Sequence, residues 1–148
     1  MFESCHSPHD IAHLLRHRYG LPVQVIAGRP MITTGSILGA MVMPAELGQR
    51  VLAAVEPGYS TPVVADPGER TWTFLVDPVL SVDVEVRRDL AEHHVTVVPS
   101  GRNVMLPATD SPLGWHWAGE PESGVLRLPP RAAVIAAVHQ TTERQLAS

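Results

Sequence analysis

The chain has 148 residues, 45% of them hydrophobic, a mean hydropathy of +0.06 and a net charge of −4 with neutral histidines, enough to build the core of one globular domain. Its basic residues are eleven arginines with no lysine, which excludes a P-loop lysine, a Schiff-base nucleophile and a kinase-type lysine. The negative balance disfavours strong non-specific binding to nucleic acid, and the longest apolar run, Ile37 to Met43, is far shorter than the roughly 20 residues of a membrane-spanning helix.

From the N-terminus, "SPHD" supplies Ser7 as a helix N-cap, Pro8 at the first helical position and Asp10 three residues past the cap, and "YGLP" supplies a glycine stop followed by proline. The spacing predicts a helix over Pro8–Tyr19. "VQVIAG" and "MITTG", with Arg29-Pro30 between them, read as two short strands, and "ILGAMVM" as a buried third. Pro44 opens a second helix in which Leu47, Val51, Leu52 and Val55 recur at helical spacing before "EPGYS" closes it. "TPVVAD" and "RTWTFLVD" flank Pro67-Gly68 as a hairpin, with Trp72, Phe74 and Val76 alternating with Thr71, Thr73 and Leu75 as in an inner strand.

The segment Pro78–His94 is ambiguous: Val82, Val84 and Val86 alternate as in a strand, whereas Ser81 and the acidic residues suit a capped helix. Helix is the preferred reading. "HVTVVP" and "NVMLPA" then read as a hairpin closed by Ser100-Gly101-Arg102, Trp115–Trp117 as an edge strand in a loop-rich stretch, and a final helix begins at Pro130 and frays over residues 140–148. Strands joined by hairpins and interspersed with helices predict one α+β domain over residues 1–148, with a mostly antiparallel mixed sheet, three to four helices, and the N- and C-terminal helices packed on the sheet. Residues 1–35 form a helix and hairpin that can be loosely attached. Cys5 has no partner for an internal disulfide, which fits a reducing compartment, and a cytoplasmic location is expected.

Candidate sites follow from residue types and spacing. Cys5, His9, His13 and His17 recur every four residues, and any adjacent histidine pair on one helix stripe can chelate Zn²⁺ or Ni²⁺. Against this, Ile11, Leu14, Leu15 and Tyr19 mark the opposite face as the buried one, and a solvated stripe needs no metal to explain its histidines. Asp83 and Glu85, with Asp77 upstream, share a face on a strand, where they could hold Mg²⁺, but diverge on a helix. Ser100 lies in a turn rather than a nucleophile elbow, so a serine hydrolase has little support. Trp115 and Trp117 flank His116, and both indoles share one face of a strand, as a partner patch or as a lid on the core. Arg16, Arg18 and Arg29 are candidates for a phosphate-facing patch, against the plainer reading of scattered solubilising charge.

Four blocks, "GAMVMPAELGQRV", "TPVVADPGERTWTFLVDP", "VTVVPSGRNVMLP" and "LRLPPRAAVIAAV", between Gly39 and Val138, resemble the recurring blocks of small actinobacterial proteins of uncharacterised function. More distantly, "PSGR" at Pro99–Arg102 and "GWHW…LPP" are similar to the N-terminal domain of bifunctional primase/polymerases, where a "PSGG-R-H" hairpin and a tryptophan-rich tail accompany a metal-binding acidic pair. Asn103 stands where that family places a histidine, and Asp83/Glu85 stands in the place of the acids. The resemblance therefore implies a degenerate, non-catalytic domain. The expectation is a small binding or regulatory module without a resident cofactor, engaging a protein partner, or a nucleic acid, through Trp115, His116, Trp117, Arg102 and Asn103 or through the helix bearing His9, His13 and His17. The alternative is a metal-dependent enzyme of nucleotide or phosphate chemistry using Asp77, Asp83 and Glu85, and a homodimer with packed indoles is a third reading.

Overall fold

The first helix shows how local chemistry sets an element's limits. In the computed structural model, which describes residues 1–78, 82–111 and 113–147, with side chains described through residue 144, helix α1 spans Pro8–Tyr19. The Asp10 N–H donates to Ser7 Oγ at 3.2 Å, and the Asp10 carboxylate accepts from the His6 N–H at 3.0 Å. This reciprocal cap satisfies donors that a helix start otherwise leaves open, and those hydrogen bonds, the one from His6 foremost, hold the Asp10 carboxyl below its ordinary value. At the other end Gly20 has φ +69°, and the N–H groups of Gly20 and Leu21 donate to Arg16 and Leu15 carbonyls, a closure that favours a residue without Cβ. Ile11, Ala12, Leu15 and Tyr19 are buried.

Strands β1 (Val23–Ile26) and β2 (Arg29–Thr33) form a hairpin. Its turn is Ala27-Gly28, with φ of 52° and 76°, two residues earlier than the Arg29-Pro30 turn read from the sequence. Two successive positive φ values match the twist of a tight hairpin, which proline, fixed at negative φ, cannot supply. Pro30 instead sits inside β2 opposite Val25, and its carbonyl accepts from the Leu106 N–H. The chain continues through β3 (Gly39–Pro44), α2 (Ala45–Val55), β4 (Val63–Ala65), β5 (Thr71–Val76), α3 (Val84–Glu92), β6 (Thr96–Val97), β7 (Asn103–Met105), β8 (His116–Gly119) and α4 (Arg131–Ala147). The helix read over Pro78–His94 is thus shorter, with Asp83 as its N-cap, and residues 79–81 lie outside the described residues.

These elements make an α+β fold with four helices and two antiparallel sheets, ordered β1-β2-β7 and β6-β3-β5-β4-β8. The hairpin expected around Ser100-Gly101-Arg102 is not formed: β6 pairs with β3 and β7 pairs with β2, so the chain crosses between sheets there. The link from β2 to β3 makes the reverse crossing, and the two crossings are tied together at Thr34, which is only 3% exposed. Its N–H donates to the Arg102 carbonyl, its carbonyl accepts from the Gly101 N–H, and its hydroxyl donates to the Pro99 carbonyl and accepts from the Arg102 N–H. A hairpin would have left the three-stranded sheet without β7; the crossing gives each sheet a strand and lets the two sheets share one core.

The five-stranded sheet is buried on both faces, and alternation along β5 decides which side chain goes where. Trp72, Phe74 and Val76 join Met41, Met43, Val51, Leu52, Leu90, Val134 and Val138 in a core beneath α2, α3 and α4. Leu75, with Ala40 and Val64, faces a second core closed by α1 and the three-stranded sheet, including Phe2, Leu15, Ile32, Val104 and Leu106. In α2, Gly48 admits Trp72: a Cβ there would lie 2.9 Å from Trp72 Cε3. Among the described residues no helix is long and apolar enough to cross a membrane.

Candidate functional site

The tryptophan segment is positioned by a sheet edge. β8 pairs with β4 through Ala65↔His116 and Val64↔Trp117, and a bulge then brings Gly119 opposite Val63. Gly119 lies so close to the neighbouring chain that a Cβ would stand 2.5 Å from the Thr61 carbonyl oxygen, so glycine lets β8 approach. Trp115 and Trp117, two residues apart, both pack against the second core and remain half-buried. They therefore close the core on one side while their remaining surface lines clefts on the other.

Two clefts, each of about 220 Å³, flank Thr109, which lines both. The first is walled by Trp115, Pro8, Pro30, Met105, Leu106 and Ala108, with Arg29 and Thr109 as its polar side chains. It joins the start of α1, the β1–β2 turn, the end of β7 and the approach to β8. Leu113, which precedes the lining residue Gly114 in the chain, stands 85% exposed. The second cleft has the larger polar share, lined by Trp117, His116, Asp110, Glu120 and Met1. There the Asp110 carboxylate accepts from the Phe2 N–H at 3.0 Å and faces the terminal amine at 3.1 Å; the Phe2 N–H first, and the amine after it, hold the carboxyl below its ordinary range.

His116 sits between two acceptors. Its Nδ1 lies 2.8 Å from the Gly114 carbonyl and its Nε2 2.9 Å from Glu69 Oε1. A neutral imidazole has one N–H and satisfies one of these; the imidazolium satisfies both. The ring's pKa is accordingly raised, mainly by the Gly114 carbonyl and then by Glu69 and Asp66. Glu69 reaches this position from the β4–β5 turn, where it adopts φ 51° and Asp66 Oδ1 accepts from the N–H groups of Arg70 and Thr71.

The other sequence-derived candidates are dispersed. Arg102 and Asn103 are exposed, Arg102 at the sheet crossing through its backbone and Asn103 at the start of β7, where its Oδ1 accepts from Thr33 Oγ1 at 2.9 Å. Neither lines the tryptophan clefts. Of the three arginines read as a patch, Arg29 alone borders the first cleft, while Arg16 Nε is drawn to the Val23 carbonyl at 2.6 Å. Asp83 Oδ1 accepts from the Glu85 N–H at the start of α3, and both acids are exposed, as is Asp77. His9, His13 and His17 lie on the exposed side of α1, and Cys5 precedes the helix. Among the described residues no group of three or more histidine, cysteine, aspartate or glutamate side chains converges as a metal would need.

Sequence reasoning missed Pro8, Pro30, Met105 and Leu106 as site residues, and Glu69 as the partner of His116. They come from separate elements, Glu69 lying 47 positions from His116, and no local spacing brings them together. Comparison with protein-family models, with curated proteins and with solved structures gives no match, so the functional reading rests on the clefts themselves.

Proposed function

We propose that this chain is a non-catalytic binding module that accepts an apolar side chain of a protein partner into the Trp115 cleft, with Arg29 at the rim pairing a neighbouring carboxylate. The observation that carries this reading is the cleft's make-up: an indole, two prolines and aliphatic side chains around a small concavity, with a single guanidinium beside them. Tryptophan and arginine are the residues on which protein interfaces most often concentrate their binding energy, and small apolar pockets with few polar groups suit an anchoring side chain. A protein partner is favoured over nucleic acid because one arginine in a chain of net charge −4 gives little counterion release.

The alternative, a metal-dependent reaction at Asp77, Asp83 and Glu85, has no comparable support, because Asp83 is engaged as a helix cap and none of the three acids lines the Trp115 cleft. The test is selection of a random peptide library on the purified full chain. Enrichment of peptides that pair a bulky apolar residue with Asp or Glu, and loss of their binding in Trp115→Ala and Arg29→Glu, is the expected result. Peptides that bind both variants as tightly as the parent, or no enrichment at all, would discard the reading.

A further inference from the structure

We propose that His13 and His17 chelate one divalent transition-metal ion on the outer face of α1, a site independent of the tryptophan clefts. The sequence presents four candidate ligands at intervals of four, but the helix begins at Pro8, which removes Cys5 from the stripe. Of the three histidines left, His13 and His17 have their rings in contact, with centroids 4.1 Å apart and planes inclined by 42°. Two imidazoles bound to one ion through nitrogens at about 2.0–2.1 Å hold their ring centres roughly 4–5 Å apart when the two bonds stand near a right angle. The 4.1 Å ring separation falls within that range, and the two side chains are anchored on consecutive turns of a capped helix, so rotation about their side-chain bonds is all that is needed to aim one nitrogen of each at the same ion.

The surroundings favour the same ion class. Both imidazoles are exposed, so solvent can fill the remaining coordination positions. His17 lies in the last turn, where the helix presents its partial negative charge and added positive charge is stabilised. Arg16, the nearest cation in sequence, turns its guanidinium to the Val23 carbonyl, and Arg18 is the other cation of that turn. No third histidine, cysteine or carboxylate joins the pair among the described residues, so His9 stands outside the ligand set. Two imidazole nitrogens with the remaining positions open to solvent suit Cu²⁺ best, followed by Ni²⁺ and Zn²⁺.

The experiment is titration of the full, tag-free chain with Cu²⁺ against a weak competing chelator, read by calorimetry and by the nitrogen splitting in the copper paramagnetic resonance spectrum, with helicity checked by circular dichroism. One ion per chain with two coupled imidazole nitrogens is expected. His13→Ala and His17→Ala each lower the affinity by roughly tenfold or more, since losing a ligand costs at least what losing one of its outer partners does, and His9→Ala leaves it unchanged. Binding that persists in the His13→Ala/His17→Ala variant, equal weakening by His9→Ala, or no uptake of Cu²⁺ would each overturn the assignment.

Discussion

At the scale of single residues, two polar side chains fix geometry that apolar packing leaves open. His116 is 17% exposed and its partner Glu69 56%, so the pair is a half-solvated one whose energy is moderated by water. Because the folded-state pKa of His116 is raised, its contribution to stability is complete below the ordinary imidazole value of about 6.5 and is lost as pH rises through the folded value. Denaturant midpoints of the parent chain should therefore fall between mildly acidic and mildly alkaline pH by more than those of His116→Gln; equal falls would show that the pair is energetically idle. Thr34 is a separate case, since its hydroxyl both donates and accepts at the crossing of the sheets. Thr34→Val keeps the shape and strips both bonds, so a loss of about 1–3 kcal/mol is expected in urea unfolding, while Thr34→Ser stays near the parent. A valine variant as stable as the serine variant would mean that packing alone holds the joint.

At the scale of elements, boundaries follow from local chemistry wherever a cap or turn residue announces them. Ser7, Asp10 and Gly20 marked α1 to the residue because each acts on backbone groups within a few positions. The Ala27-Gly28 turn and the fate of β6 and β7 were not legible in the same way. A turn residue such as Gly101 permits a reversal without saying which strand the chain will join next, and that choice depends on β2 and β3, more than fifty positions upstream. The docking of β8 is of this second kind, and Gly119 is the position that governs it. Gly119→Ala places a Cβ against the Thr61 carbonyl, so the edge strand must shift; a loss of about 1–3 kcal/mol is expected, together with altered emission from Trp115 and Trp117. Unchanged stability and fluorescence would mean that β8 tolerates displacement and does not fix the clefts.

At the scale of the whole molecule, one sheet serves two cores. Phe74 and Leu75 are neighbours on β5 and fully buried on opposite faces, so the two halves share their central strand. Phe74→Ala should cost about 3–5 kcal/mol and Leu75→Ala about 2–5 kcal/mol. In both variants the transitions followed by tryptophan emission and by far-ultraviolet circular dichroism should coincide, as in a single cooperative unit. Separate transitions for the α1 side and the α2/α4 side would show instead that the cores unfold independently. Residues 1–35 supply Phe2, Ile11, Leu15, Val23 and Ile32 to the second core, which makes that core the sensitive one for changes near the N-terminus.

The amino-acid sequence by itself determined the fold class, the ends of α1, the β4–β5 hairpin and the place of β5 as an inner strand, because capping, turn chemistry and alternating hydrophobicity act over a few residues and are written at fixed offsets. It also determined which chemistries have no residue to run on, the absence of lysine being independent of any fold. Only the tertiary structure decided that β6 and β7 separate into different sheets, that Trp115 meets Arg29 and Pro30 at one cleft, that His116 meets Glu69, and that His13 and His17, out of four regularly spaced candidates, bring their rings together. Each of these depends on which strand edge or rotamer wins a competition among distant partners, and that free-energy difference belongs to the packed chain rather than to any short stretch of it.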